Sequence, residues 1–114
     1  MTDDKEMMDM AFEAVELAKK SGKICKGTNE VTKAVEKGIA KLVVVAKDVN
    51  PPEIVMHLPP LCKEKGILYV QIGTKDDLGA AAGLAVGTSA VGVVQEGQAA
   101  NVLKELDKAL KEQK

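Results

Sequence analysis

Six residues from Lys41 to Ala46, KLVVVA, form the most restrictive segment of this sequence. One leucine and three successive valines leave no polar side chain in the middle of the run, and β-branched residues favour extended backbone. Such a strand has no face that suits water, so it belongs in a sheet that is covered on both faces. The segment therefore predicts a strand in the interior of an α/β fold.

Helical and extended patterns alternate along the rest of the chain. Helices are predicted at 6–20, 29–38, 51–65, 75–82 and 98–112. Strands are predicted at 23–26, 41–46, 67–72 and 90–94. Pro59 and Pro60 are expected to interrupt the third helix. This order predicts one domain over residues 1–114, an α/β sandwich with a small mixed, largely parallel sheet.

Composition and charge narrow the possible functions. The chain has 114 residues, 46% of them hydrophobic, but one Phe, one Tyr and no Trp. Modules that stack bases on aromatic side chains are therefore disfavoured. The net charge is −1, yet residues 23–47 hold six lysines against two glutamates, whereas residues 1–20 hold six acids against three lysines. The local lysine excess is either a basic patch that gathers phosphates or an ordinary solvated surface.

The sequence offers little for catalysis, cofactors or metals. The glycine-rich stretch from Gly79 to Gly87 follows a predicted helix, whereas a dinucleotide-binding fingerprint follows a strand. His57, the single histidine, is expected to be a satisfied or surface side chain, and Cys25 and Cys62 lack metal-binding spacing, Cys62 being expected in the core. We expect no enzymatic activity, no cofactor and no metal. Without the pattern of a signal peptide or membrane span, a cytoplasmic location is expected.

The segment KGTNEVTKAVEKG, from Lys26 to Gly38, opens a helix with a group of polar side chains. Asn29 is predicted to be the N-cap, which puts Glu30 at the first helical position and Lys33 three residues later. A carboxylate can accept from guanine N1–H and N2–H, while a lysine can donate to O6. Gly27 would let another backbone approach closely, and the free N–H groups could bind a phosphate. The simpler alternative is an ordinary helix cap beside a solvated Glu–Lys pair.

The stretches KGTNEVTKAVEKGIAKLVVVAKDV, HLPPLCKEKGI and TKDDLGAAAG resemble the kink-turn RNA-binding family, most of all its archaeal form. Members of that family include large-subunit ribosomal proteins and core proteins of guide-RNA ribonucleoproteins. The similarity extends from about residue 10 to about residue 110. It implies a three-layer α/β/α sandwich that binds a kink-turn, which is an asymmetric internal loop flanked by tandem sheared G·A pairs.

The same resemblance implies the site residues. The family's guanine contacts fall here on Asn29, Glu30 and Lys33. The residues that line the same surface and the adjacent phosphates are Lys26, Gly27 and Thr28. The family's pocket for a flipped-out nucleotide falls on Asn50, Ile54 and Lys75. Its specificity loop falls on Leu84, Ala85, Val86 and Gly87, and because this loop is apolar here it can pack over bases but adds no charged contact.

Partners also follow from the resemblance. The implied RNA partners are kink-turns in ribosomal RNA, in box C/D and box H/ACA guide RNA, and in ribonuclease P RNA. The implied protein partners are the guide-particle scaffold protein, the methyltransferase and the pseudouridine synthase machinery, and the free chain is expected to be a monomer. Two alternatives are an RNA-independent interaction module of the same fold and a small nucleotide-binding enzyme. The complete set Asn29, Glu30 and Lys33 argues against the first, and the missing phosphate loop argues against the second.

Overall fold

The computed structural model describes residues 4–48, 56–95 and 97–112. The helices in these ranges are α1 (Asp4–Ser21), α2 (Thr28–Glu36), α3 (Leu58–Lys65), α4 (Lys75–Ala81) and α5 (Ala100–Glu112), the last preceded by a 3-10 turn at Gly97–Ala99. The strands are β1 (Lys23–Lys26), β2 (Leu42–Val45), β3 (Leu68–Gln71) and β4 (Ala90–Gln95). The order of elements agrees with the sequence prediction, and most boundaries agree within two residues.

The described strands form one four-stranded sheet in the order β1-β4-β2-β3. Strands β2 and β3 are parallel, with Leu42 opposite Leu68 and Val45 opposite Gln71. Strand β4 is antiparallel to both β1 and β2. The mixed α/β sheet is confirmed. Parallel pairing is less extensive than the sequence suggested, because β4 lies between β1 and β2 and runs against them.

Helices cover both faces of the sheet. Helices α1, α4 and α5 pack together on one face, and α2 and α3 pack on the other. All four residues of β2 are fully buried between these layers, as the KLVVVA run predicts. In β4, Gly92 makes room for Val31 of α2, whose methyl carbons lie 3.5 and 3.7 Å from the position that a Cβ would occupy. The sheet is therefore the middle layer of a three-layer fold with an aliphatic core.

Helix α3 begins at Leu58 and accommodates two prolines. Pro59 and Pro60 fall in its first turn, where proline is tolerated because those N–H groups have no partner within the helix. Gly66 ends the helix with φ of 70°, a left-handed conformation that glycine adopts without strain. The predicted earlier part of this helix, from residue 51, lies outside the described residues.

The two cysteines differ in their surroundings. Cys62 is fully buried, as expected, and burial raises the pKa of its thiol to about 11 because the thiolate is poorly solvated there. Cys25 is half-buried, and both thiols are free. Within the described ranges, no three potential metal ligands gather in one place. None of the described helices combines the length and apolar character that a membrane crossing requires.

Candidate nucleic-acid interface

Four chain segments meet at one end of the sheet. Strand β1 ends there at Lys26 and leads into α2, while β2 and β3 end there at Val45 and Gln71. Strand β4 runs in the opposite direction and begins there at Ala90. The carboxyl ends of three strands therefore share this end, hereafter the α2 end, with the loop before β4. Every described residue that the resemblance assigned to RNA binding lies in these segments.

Hydrogen bonds connect the segments of the α2 end. The backbone bonds, each donated by the first residue named at N–O distances of 2.9–3.1 Å, are Gly27 to Ala90, Ala46 to Ser89, Lys47 to Gly73, and Thr88 to Lys75. A bond between two side chains adds to them, joining Thr28 Oγ1 and Ser89 Oγ at 2.8 Å. Sequence reasoning missed Ser89, since nothing in the sequence pairs it with a residue 61 positions away. The polar side chains of this end are thus carried by a fixed backbone.

Gly27, rather than Asn29, is the N-cap of α2. Its φ of 91° and ψ of 150° are values that residues with a Cβ rarely adopt. Its carbonyl accepts the first helical hydrogen bond, from the Val31 N–H at 3.0 Å. The prediction of Asn29 as the cap was wrong, because the glycine itself turns β1 into the helix and no side chain caps it. Asn29 is the second helical residue and is exposed.

The exposed side of α2 carries the predicted guanine-reading residues. Helical geometry, about 100° per residue, places Asn29 and Lys33 on one stripe. Glu30 lies to one side of that stripe, and Thr28 and Thr32 lie to the other. Asn29, Glu30 and Lys33 are all exposed. The opposite side of the helix is buried through Val31, Ala34 and Val35.

Glu30 is partly oriented by the backbone before the helix. Its Oε2 accepts a hydrogen bond from the Lys26 N–H at 3.3 Å. This resembles a capping box, in which a glutamate in the first turn satisfies a donor just upstream, and a negative charge is favourable at a helix N-terminus. Burial, and secondarily the Glu30 charge, raise the pKa of the Cys25 thiol behind it. The Glu30 carboxylate is therefore held beside the first turn of α2, and its Oε1 atom takes no part in this hydrogen bond.

His57 lies just before α3 and is exposed, with its Nε2 2.7 Å from Thr32 Oγ1. The same hydroxyl donates to the Thr28 carbonyl at 2.7 Å. The expectation of a satisfied or surface histidine is confirmed in both respects. Sequence reasoning gave it no connection to α2, because its partner lies 25 residues away.

The start of α4 brings Lys75 to the α2 end. Its backbone N–H donates to Asp48 Oδ1 at 2.8 Å, which joins α4 to the segment after β2. Thr74 caps this helix, its Oγ1 accepting from the Asp77 N–H at 3.1 Å. The Lys75 side chain is exposed. The other two residues predicted to line the nucleotide pocket, Asn50 and Ile54, lie outside the described residues.

The predicted specificity residues in the loop before β4 differ in how far they are exposed to solvent. Leu84 is half-buried against the core, whereas Ala85 and Val86 are exposed, Val86 at 73%. Gly79 allows the loop to pass close to α4, since a Cβ there would collide with the Val86 carbonyl oxygen. The Leu84 N–H also donates to the Gly79 carbonyl at 2.8 Å. The glycine spacing in this stretch thus serves packing, and Ala85 and Val86 offer an apolar contact surface.

A groove of about 450 Å³ opens at the other end of the sheet, away from these residues. Lys41, Lys65 and Lys104 lie along it, together with Asp107. None of the described residues that the resemblance assigned to RNA binding lines this groove. The candidate interface is therefore an exposed surface at the α2 end rather than this concave site.

Comparison with known proteins shows similarity both to a protein family and to solved structures. A model of the ribosomal protein L7Ae/L30e/S12e/Gadd45 family matches residues 9–103, which is well over half of the chain. A solved structure, the Giardia lamblia 15.5kD RNA binding protein, is similar at 33% sequence identity and a TM-score of 0.88. That similarity covers 97% of this chain and 91% of the Giardia chain. Both matches extend over the α2 end and over the layers that support it.

Proposed function

The chain belongs to the ribosomal protein L7Ae/L30e/S12e/Gadd45 family, and from this premise we propose that it is a non-catalytic protein that binds kink-turn RNA through the α2 end. Membership of this family, together with the similarity to an RNA-binding protein from Giardia lamblia, supports RNA binding as the general function. The choice of a kink-turn rests on the side chains of α2.

The observation that carries the proposal is the exposed stripe of Asn29 and Lys33 with Glu30 beside it. No capping bond uses the Asn29 side chain, and Glu30 uses Oε2 for the Lys26 N–H. A carboxylate, an amide and an ammonium group on adjacent positions match the N1–H, N2–H and O6 atoms of guanine. Sheared G·A pairs leave guanine groups accessible, and the tandem pairs of a kink-turn present two such guanines together.

Neighbouring groups would bind the rest of the RNA. Gly27 carries no Cβ, and the first N–H groups of α2 are donors that suit a phosphate. Lys26 and Lys75 add positive charge from two sides of the α2 end. Exposed Ala85 and Val86 would pack on bases, since they offer apolar area and no hydrogen bonds. On the strength of the resemblance, Asn50 and Ile54 are proposed to bind the flipped-out nucleotide together with Lys75.

The proposed mechanism is capture of one RNA conformation. A kink-turn that exchanges between extended and bent forms shifts toward the bent form when a protein binds that form more tightly. The bent RNA then positions other components. We propose ribosomal RNA, box C/D and box H/ACA guide RNA and ribonuclease P RNA as targets. The proposed protein partners are the guide-particle scaffold protein, the methyltransferase and the pseudouridine synthase machinery. We also propose that the protein is cytoplasmic and that it is a monomer when free.

A gel-shift titration tests this proposal with two RNAs of equal length. One carries a kink-turn, and in the other the sheared G·A pairs are replaced by Watson–Crick pairs. We expect tight binding to the first RNA and loss of most affinity for the second, because Watson–Crick pairing covers the guanine edge. Equal, weak and salt-sensitive binding to both would contradict the kink-turn proposal and favour the protein-interaction alternative.

A further inference from the structure

His57, the residue before α3, makes a side-chain contact with α2. The described contacts attach it to the helix that carries the proposed guanine-reading stripe, although the resemblance assigns it no role. Its Nε2 lies 2.7 Å from Thr32 Oγ1, and Thr32 Oγ1 lies 2.7 Å from the Thr28 carbonyl oxygen. Both distances are typical of well-formed hydrogen bonds.

The direction of these bonds follows from proton counting. A carbonyl oxygen can only accept, so the single proton of the Thr32 hydroxyl is donated to Thr28. The Thr32 oxygen must then accept from His57, which places a proton on Nε2. The neutral His57 ring is therefore the Nε2–H tautomer, and the chain of donors runs from His57 through Thr32 to the Thr28 carbonyl.

Thr28 is also held from its other side. Its hydroxyl exchanges a hydrogen bond with Ser89 at 2.8 Å, in the loop before β4. A threonine that bonds back to the carbonyl four residues earlier is common in helices and tends to loosen or bend them. Here that bond is extended to His57, 25 residues away at the start of α3. The first turn of α2 is thus fixed between two other parts of the fold.

The hydrogen bonds from His57 through Thr32 to Thr28 lie beside the stripe of Asn29 and Lys33, so they bear on how that stripe is oriented. Thr28 and Thr32 form the row that borders Asn29 and Lys33 on the helix surface. A small rotation of the first turn would move Asn29 and Lys33 together, because all four residues belong to the same two turns. The N-cap residue of α2 makes no side-chain cap bond, so the start of the helix depends on the Glu30 bond to the Lys26 N–H and on contacts from outside the helix.

We propose that His57 is a positioning residue, which holds the first turn of α2 through Thr32 and so fixes the orientation of Asn29 and Lys33. The effect on RNA rests on the proposed function, whereas the effect on the helix does not. The competing explanation is that His57, being exposed, contacts RNA itself.

A double-mutant cycle separates these explanations, with affinity for the kink-turn RNA as the measurement. We expect His57→Ala and Thr32→Val each to weaken binding about two- to tenfold, the range that one net hydrogen bond represents. The double variant should be no weaker than Thr32→Val alone. His57→Gln, whose amide nitrogen can take the place of Nε2, and Thr32→Ser, which keeps the hydroxyl, should both bind within about twofold of the parent protein.

Three results of the affinity measurements would overturn the proposal. His57→Ala could bind like the parent, or His57→Gln could be as weak as His57→Ala. The third is a further loss when His57→Ala is added to Thr32→Val, which would show that His57 acts on RNA without Thr32.

Amide hydrogen exchange of the free protein provides a readout that needs no RNA. We expect His57→Ala and Thr32→Val to accelerate exchange at Gly27 and Val31 while leaving Val44 in β2 unchanged. Unchanged exchange at Gly27 and Val31 would refute the positioning role even if RNA binding is confirmed. Accelerated exchange together with no preference for the kink-turn over its Watson–Crick control would instead refute the proposed function and leave the positioning role standing.

Discussion

Helices α2 and α4 begin at the same end of the sheet but use their polar residues differently. At the start of α4, Thr74 caps the helix by accepting from the Asp77 N–H, and Asp48 accepts from the Lys75 N–H. At the start of α2, a glycine occupies the N-cap and Asn29 makes no capping bond. Polar side chains at the start of α4 thus stabilise the fold. At α2 the start of the helix is held by the backbone of Gly27, by one oxygen of Glu30 and by the contacts of Thr28 with other parts of the fold.

This contrast separates structural residues from candidate binding residues without reference to any ligand. A helix that begins without a side-chain cap forgoes a contribution of about 1 kcal/mol to stability. Because it does not cap the helix, the Asn29 side chain remains exposed to solvent, next to the exposed Lys33 and Glu30. Side-chain variants should therefore affect mainly stability at α4 and mainly RNA affinity at α2, whereas a change at Gly27, which alters the backbone, should affect both.

Replacing Glu30 with alanine should cause the greatest loss of affinity for kink-turn RNA. We expect about 1–3 kcal/mol, because the carboxylate of a base-edge contact is removed. The free energy of unfolding should fall by a smaller amount, about 0.5–1 kcal/mol, because the exposed Glu30 also accepts from the Lys26 N–H and places a negative charge at the helix N-terminus. Paired titration and thermal unfolding measure both effects. Glu36→Ala, the same change at the exposed far end of α2, is the control, and equal losses in the two variants would contradict base reading by Glu30.

Gly27→Ala should affect both folding and RNA binding. An alanine at φ of 91° and ψ of 150° is strained by about 1–3 kcal/mol although no atom would lie within 4 Å of the new Cβ. Relief of that strain would displace the start of α2. Gly38→Ala is the matched control, because Gly38 also has a positive φ, of 73°, and open space but lies beyond the end of α2. Chemical denaturation and RNA titration should show destabilisation in both variants and an affinity loss in Gly27→Ala alone.

Thr74→Ala should reduce stability and spare RNA affinity, whereas Asn29→Ala should reduce RNA affinity and spare stability. Thr74→Ala removes a true cap and should lower the free energy of unfolding by about 1 kcal/mol, with RNA affinity nearly unchanged. Asn29→Ala should leave stability nearly unchanged and weaken RNA binding about five- to tenfold, in the range of one lost hydrogen bond. If Asn29→Ala destabilises the protein as much as Thr74→Ala does, the distinction between the two helix starts fails.

Lysine substitutions should have the smallest and least selective effect. Lys26→Ala should weaken binding to all RNAs to a similar degree and reduce the slope of log affinity against log salt by about 0.7–0.9, the amount expected for one phosphate contact. Lys65→Ala, in the groove at the other end of the sheet, should leave both quantities unchanged. Affinity measured across a series of salt concentrations distinguishes the two. An equal change of slope in the two variants would mean that RNA binding is spread over the whole surface.

Most secondary structure could be read from local sequence, but its arrangement could not. The burial of β2 follows from four consecutive aliphatic residues, and each predicted strand is present. The expectation of a largely parallel sheet failed where β4 pairs between β1 and β2, because strand order depends on contacts far apart in sequence. The cap of α2 was mispredicted because asparagine outranks glycine in general preference, whereas here backbone geometry selects glycine.

The candidate site was predictable to the extent that it lies in continuous sequence. Asn29, Glu30 and Lys33 share one helix, so their spacing alone places them on one exposed surface. The residues that hold this surface, Ser89 and His57, could not be found, because their partners on α2 lie 61 and 25 residues away. Burial of Leu84 beside exposed Val86 likewise depends on how the loop packs against Gly79.

One titration locates the RNA surface on the whole molecule. Isotope-labelled protein is titrated with the kink-turn RNA, and chemical-shift changes are recorded for backbone amides and for asparagine side-chain amides. We expect the largest changes at Gly27 to Lys33 and at the Asn29 side-chain amide, with minor changes at Lys65 and Lys104. Changes concentrated along the groove at the opposite end of the sheet, with the Asn29 side-chain signals unmoved, would contradict the assignment of RNA binding to α2.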